Sequence, residues 1–328
     1  MSWYLQTGKE SDVVMLSKIS LVRNLSQFNF YIKEGEIVKL ESLIQESLLQ
    51  IGYDLKHLKL RELDEITLQT LIEKGLISHE IAKNKNKISI LINEDENICI
   101  LINHENHFIL QSFASGLELE AITNLCIEID EKLQTILNIS KSDKYGYLTA
   151  CPTNVGTGMK LSVQLHLPGL TKTKNIQNLI KFVRHFGVEI SKEQNPDIYK
   201  ISNDRTLGIT EEDIVKNIKS ITEKIIEQER AARKILTENQ IELEDTVFRS
   251  YGILSNCKKI SQNEAEELLS NVKLGTDLGI ITELTDSKVK KLYLYIKPAS
   301  INRYFGQEFT SAEENIKRAE IIKNITKD

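Results

Sequence analysis

Apolar positions along this chain keep one period, change it, and change back. Val38, Leu40, Leu43, Ile44, Leu48 and Leu49 recur at helical spacing, and Thr67–Ile72 suggests a second helix that stops near Gly75. On that pattern residues 10–85 read as mainly helical. The period then shortens. Lys87–Ile92 and Ile98–Ile102 are β-branched runs joined by the turn residues Asn93–Asn97, which predicts a hairpin in a sheet buried on both faces. Residues 118–137 return to helix, and Leu161–Leu167 alternates as a strand. Residues 174–185 read as helix and Ile198–Ile201 as a short strand.

Thr210-Glu211-Glu212-Asp213 has the form of a capping box and opens a long helix running to about Leu236, with Ile214, Ile218, Ile221 and Ile225 on one face. Ser261 with Glu264, and Ser311 with Glu314, mark further helix starts. Residues 236–328 are therefore mostly helical. They are expected to form a second, smaller domain behind a first domain of residues 1–235. Stripes such as Leu268-Leu269-Val272 and Ile316-Ala319-Ile322 exceed what a small helical domain needs internally. They predict a homodimer through that region.

Charge narrows the function classes. The net charge of −5 argues against a general binder of nucleic acid or membrane surfaces. No apolar run is long enough to span a bilayer, and the N-terminus carries no signal peptide. The four cysteines have no metal-ligand spacing and read as reduced thiols of a cytoplasmic protein.

One segment carries chemistry: Tyr145-Gly146-Tyr147-Leu148-Thr149-Ala150-Cys151-Pro152-Thr153-Asn154-Val155-Gly156-Thr157-Gly158. A lone cysteine is usually a small buried hydrophobe. Here a proline, an asparagine and two glycines follow it, and such a turn can bring backbone N–H groups and a thiolate close to a ligand. A second segment, Asn103-His104-Glu105-Asn106-His107-Phe108-Ile109, ends the second hairpin strand. A carboxylate there can orient a cationic group and accept its proton, though an acid in such a loop is commonly only solvated.

The Cys-Pro-Thr-Asn-x-Gly-Thr core resembles the signature of the ATP:guanido phosphotransferases. The following Ser162-Val163-Gln164-Leu165-His166-Leu167-Pro168 is similar to the bacterial protein-arginine kinase branch. The resemblance runs from Ser11 to about Ile322. It implies an α+β catalytic domain, with a curved antiparallel sheet flanked by helices, and a helical C-terminal dimerisation domain. It implies Mg-ATP as cosubstrate, protein arginine as acceptor, and as partners a zinc-binding activator, a heat-shock repressor and a Clp unfoldase. Glu105 then becomes the orienting base and Cys151 the neighbour of the substrate guanidinium. Asn154 falls on the substrate side, with Glu193 or Asp197 as stand-ins for a second loop carboxylate. Lys18, Ser20, His107 and Lys160 fall on the nucleotide side.

The departures from the family pattern share a theme. Only nine of the 42 basic residues are arginines, and none stands at the five positions where the family clamps phosphate. Lys18, Ser20, Ile109 and Lys160 occupy four of them. The fifth belongs to a loop rebuilt here as Ile190–Asp197. Arginine offers phosphate a planar fork, lysine a point charge, and serine or isoleucine neither. Phosphoryl transfer rests almost wholly on positioning and charge neutralisation, so weak or absent ATP binding is expected. Likewise Glu314-Asn315-Ile316-Lys317-Arg318-Ala319 resembles a phosphoarginine-docking motif that has lost its first two arginines. Two readings stay open: a protein-arginine kinase with weakened phosphate contacts, and a pseudokinase that keeps the arginine-side pocket as a binding module.

Overall fold

The structure, a computed structural model, describes residues 2–327. Its centre is a strand where helical periodicity was the expectation: β1 (Val14–Arg23). Along β1 the odd positions Ile19 and Leu21 are fully buried, while Lys18 and Ser20 point to the opposite side and stay half-buried. Polar residues on one face of a central strand hide its alternation. β2 (Lys56–Lys59), another strand within the expected helical stretch, lies at the sheet edge. The predicted hairpin is present as β3 (Ser89–Ile92) and β4 (Ile98–Ile102), every residue of it buried.

β5 (Phe108–Ser115) follows the Glu105 turn. β6 (Lys141–Ser142) and β7 (Gly146–Tyr147) form a separate ribbon. β8 (Met159–His166), β9 (Val188–Lys192) and β10 (Ile198–Asn203) complete the main sheet. Its order is β2–β3–β4–β5–β1–β8–β10–β9, antiparallel throughout. The stretch 190–197, expected as loop, is thus partly strand. Residues 188–192 pair with β10, and only Glu193–Asp197 make the turn.

One face of the sheet is covered by α1 (Ile37–Gln50), α4 (Leu119–Gln134), α5 (Pro168–Lys172), α6 (Ile176–His185) and α7 (Glu211–Thr237). Ile214, Ile218, Ile221 and Ile225 of α7 pack there as their spacing predicts, behind the capping box at Thr210 and Asp213. On the other face, α2 (Glu65–Glu73), α3 (His79–Lys83) and Trp3 cover only the β2–β5 half. The β1–β8–β10–β9 half of that face stays open.

The remaining helices build a second core: α8 (Gln240–Asn256), α9 (Gln262–Asp277), α10 (Asp286–Tyr295), α11 (Pro298–Phe305) and α12 (Ser311–Lys327). Leu269, Val272, Ala319 and Ile322 lie inside that core, so the stripes read as surplus for dimerisation are internal packing. Of those stripes only Ile316 is strongly exposed. The α12 start is set by Thr310 and Glu313, one residue earlier than predicted. The second core also takes in Ile198 and Met15 from the sheet region. Glu73 of α2 accepts the Ala299 and Ser300 N–H groups at 2.8 Å each, satisfying two donors at the α11 N-terminus. Among the described residues no helix is long and apolar enough to cross a membrane.

Candidate functional site

The arginine-side residues hang on a buried polar frame at the end of β1. Arg23 is 2% exposed. Its guanidinium grips Asp130 of α4 through Nε at 2.9 Å and Nη2 at 2.8 Å, and donates to the Thr157 carbonyl at 3.1 Å. Its charge lies 3.5 Å from the Tyr147 ring centroid. Asn24 Oδ1 accepts the His107 N–H, and Asn24 Nδ2 donates to Asn106 Oδ1, each at 2.8 Å. Asn106 Oδ1 also accepts the Ala150 N–H at 2.8 Å. The frame therefore sets the Glu105 turn against the Cys151 loop.

Glu105 is exposed and Cys151 half-buried. The Cys151 Sγ lies 3.0 Å from Thr153 Oγ1, inside the short turn Pro152–Asn154. Asn154 donates its N–H to the Cys151 carbonyl at 3.0 Å. The glycines of the motif are structural necessities. A Cβ on Gly156 (φ +113°) would sit 2.1 Å from the Thr206 carbonyl oxygen, and one on Gly158 (φ +60°) 2.7 Å from Arg23 Nη1. Thr206 holds the loop from behind, donating Oγ1 to the Thr153 and Val155 carbonyls at 2.8 Å. By contrast Cys99 is fully buried, which pushes its thiol up to about 12.

The nucleotide-side residues lie on the open half of the sheet, in a cleft of about 880 Å³. Lys18, Ser20 and Lys160 line it, together with Glu193, which the sequence reading put on the substrate side. So do Lys200, Arg184 and Glu189, which the sequence reading did not single out. Pleating could have revealed Lys200, because Lys200 and Ser202 alternate with the buried Tyr199 and Ile201. Arg184 carried no such signal.

Two of the lysines in this cleft are already paired. Lys160 Nζ donates to Glu189 Oε2 at 2.9 Å and to the Asn203 carbonyl at 2.6 Å. Lys200 Nζ lies 3.5 Å from Glu193 Oε1. Lys18 has no carboxylate partner among the described residues. Its ammonium lies 4.9 Å from the Phe113 ring centroid, and burial pushes it down to about 8. Ser20 Oγ accepts from Gln111 Nε2 at 3.2 Å. A triphosphate placed there would have to displace Glu189 and Glu193 from the lysines it needs. What the cleft offers a polyphosphate is the exposed Arg184 and three lysines, two of them already paired.

Other expected site residues take different roles. His107 is 1% exposed, and both its ring nitrogens are used internally. Nδ1 accepts the Leu25 N–H and Nε2 donates to the Asn29 carbonyl, both at 2.8 Å, so it pins a loop instead of facing the cleft. Burial holds its pKa below the usual histidine value. Ile109 packs on the apolar cluster of the covered half-face. Asp197 accepts from Ser270 Oγ of α9 at 2.6 Å, which leaves Glu193 as the carboxylate that reaches the cleft. Arg318 is buried, donating to the Ile296 and Ile260 carbonyls at 2.6 and 2.9 Å. It serves the fold of the second core.

Comparison with known proteins agrees with this architecture. Residues 37–232 match the family described as ATP:guanido phosphotransferase, C-terminal catalytic domain. Residues 240–328 match the protein-arginine kinase McsB C-terminal domain. A protein-arginine kinase of Halothermothrix orenii is 41% identical, with 98% of this chain and 95% of that protein covered. One from a Geobacillus species is 37% identical, at 98% and 92% coverage. Among solved structures, lombricine kinase aligns with a TM-score of 0.58 at 21% identity, over 70% of this chain and 71% of that one. The substrate-free duplicated taurocyamine kinase of Schistosoma mansoni aligns with the same TM-score, 0.58, at 23% identity, over 66% of this chain and 32% of that one.

Proposed function

Because the chain belongs to the ATP:guanido phosphotransferase family, in its protein-arginine kinase branch, we propose that it binds arginine side chains of proteins at Glu105 and Cys151 and uses ATP weakly or not at all. The observation that carries this reading is the contrast between the two halves of the site. On the arginine side, Glu105 stands exposed on a turn that Asn106 fastens to the Cys151 loop. On the phosphate side, Lys160 and Lys200 are each paired with a glutamate within the cleft, and among the described residues no arginine stands on the sheet floor. A carboxylate beside a polarisable thiol favours a planar cation whether or not phosphate is transferred.

The second reading is an active kinase, and Arg184 favours it. Arg184 is an exposed arginine on the cleft wall, where its fork could meet phosphate. Calorimetric titration with ATP and Mg separates the two. The first reading expects weak or undetectable heat; low-micromolar dissociation overturns it in favour of the kinase. In either case we propose a role in heat-shock and Clp-dependent quality control, a reading supported by membership of the protein-arginine kinase branch. A homodimer remains part of the proposal, tested by light scattering at tens of micromolar.

A further inference from the structure

Residues 26–33 form neither helix nor strand, yet they carry two large aromatic side chains into solvent. Phe30 is 49% and Tyr31 74% exposed. Two ties hold this loop beside the Glu105 turn. The first is His107, whose ring nitrogens engage Leu25 and Asn29 and whose ring packs against Phe28 and Phe30, with centroids 5.8 and 6.5 Å away. The second is Lys87. Its carbonyl accepts from Asn103 Nδ2 at 2.8 Å, while its ammonium lies 3.5 Å from Tyr31 Oη and 5.8 Å from the ring centroid. The aromatic loop and the exposed carboxylate are thus carried by one braced unit. Glu34, also exposed, follows a few residues later.

Lys87 sits off the hydroxyl edge of Tyr31, so the faces of this mostly exposed ring stay open to a planar cation. A carboxylate set next to such a ring selects a cation that can do two things at once: stack on the π-face and fork to an acid. Arginine does both, and lysine does only the first well. We infer that Phe30 and Tyr31 form an aromatic docking surface for the arginine-bearing segment of a protein, steering its guanidinium to Glu105. This rests on the arginine-recognition reading above and adds to it the residues that provide affinity outside the reacting centre. The exposed acids Glu34 and Glu105 share this patch with the exposed Lys33 and Lys87, so selection rests on one ring paired with one carboxylate and not on net charge.

The test uses the full chain and two fluorescent ten-residue peptides of glycine and serine. One contains a single arginine and the other citrulline in its place, which keeps the shape and removes the charge. Binding is read by anisotropy. Wild type should prefer the arginine peptide. Tyr31→Leu should weaken that peptide about threefold, and Phe30→Leu with Tyr31→Leu about tenfold, leaving the citrulline peptide unchanged. Tyr31 is mostly exposed, so the single variant should keep the wild-type melting temperature. Equal losses for both peptides would show a generic apolar contact and overturn the inference. So would a change in self-association of the Tyr31→Leu chain with no change in peptide binding. Unchanged arginine affinity in the double variant overturns it while leaving arginine recognition intact. A wild type that does not separate the peptides removes both.

Discussion

The backbone N–H of Ala150 donates to Asn106 Oδ1 at 2.8 Å, and this bond joins the turn that carries Glu105 to the loop that carries Cys151. Asn106 is 2% exposed and the same oxygen also takes the Asn24 amide. Asn106→Ala removes the acceptor shared by the Ala150 N–H and the Asn24 amide, which keeps only its bond to the Leu148 carbonyl, at a cost of about 1–3 kcal/mol. The expected result is a moderate fall in melting temperature with a much larger loss of arginine-peptide affinity. A variant with lowered stability but full peptide binding would show that the two loops hold their places without this bond.

Arg23 and Asp130 form a buried, bidentate pair. Removing one partner strands the other charge in the core. Asp130→Ala should therefore cost about 3–5 kcal/mol, measured by urea unfolding. Arg23 also donates to the Thr157 carbonyl, so the Cys151 loop should loosen, visible as faster hydrogen exchange at residues 155–158. A loss below about 1 kcal/mol would indicate that water reaches the site and screens the pair.

If the paired glutamates keep phosphate out, freeing the lysines should bring it in. Glu189→Gln releases Lys160 from its carboxylate, and Ser20→Arg restores a fork beside it on the neighbouring strand. Together they should raise Mg-ATP affinity at least tenfold, since each charge-assisted bond is worth roughly 1.5–3 kcal/mol. Ile109→Arg is not included, because Ile109 packs against the apolar cluster and a guanidinium there would be desolvated. A folded double variant with no gain in calorimetry would locate the defect in the backbone of the cleft.

Lys18 gives a pH signature. Burial lowers its pKa in the folded chain to about 8, against 10.5 for an ordinary lysine. Between these values the unfolded chain holds a proton that the folded chain has released, so unfolding takes one up and stability rises with pH. Below pH 8 both states are protonated and the contribution is flat, at its least favourable. Urea melts should show wild type gaining stability from pH 8 toward 10 relative to Lys18→Met, with the variant the more stable of the two at pH 7. Parallel curves for the two proteins would mean that Lys18 titrates normally.

Much of this protein is legible in its sequence, wherever local interactions decide. The helices at Ile37–Gln50, Glu65–Glu73 and Glu211–Thr237 follow from apolar spacing and caps, because a helix closes its hydrogen bonds within a few residues. The Cys151 motif, its glycines and the missing arginines are properties of residue type and order. Tertiary structure alone decided what depends on distant partners. β1 could not be read as a strand because its open face is polar, and only pairing with β5 and β8 makes it the centre of the sheet. The apolar stripes of α9 and α12 turned inward because the second core needed them. His107 became a pin once Leu25 and Asn29 reached its two nitrogens. The state of the cleft was decided the same way. Lys160 and Glu189 are 29 residues apart, and only the strand order β8–β10–β9 brings them within 2.9 Å, where opposite charges pair on the wall of the cleft.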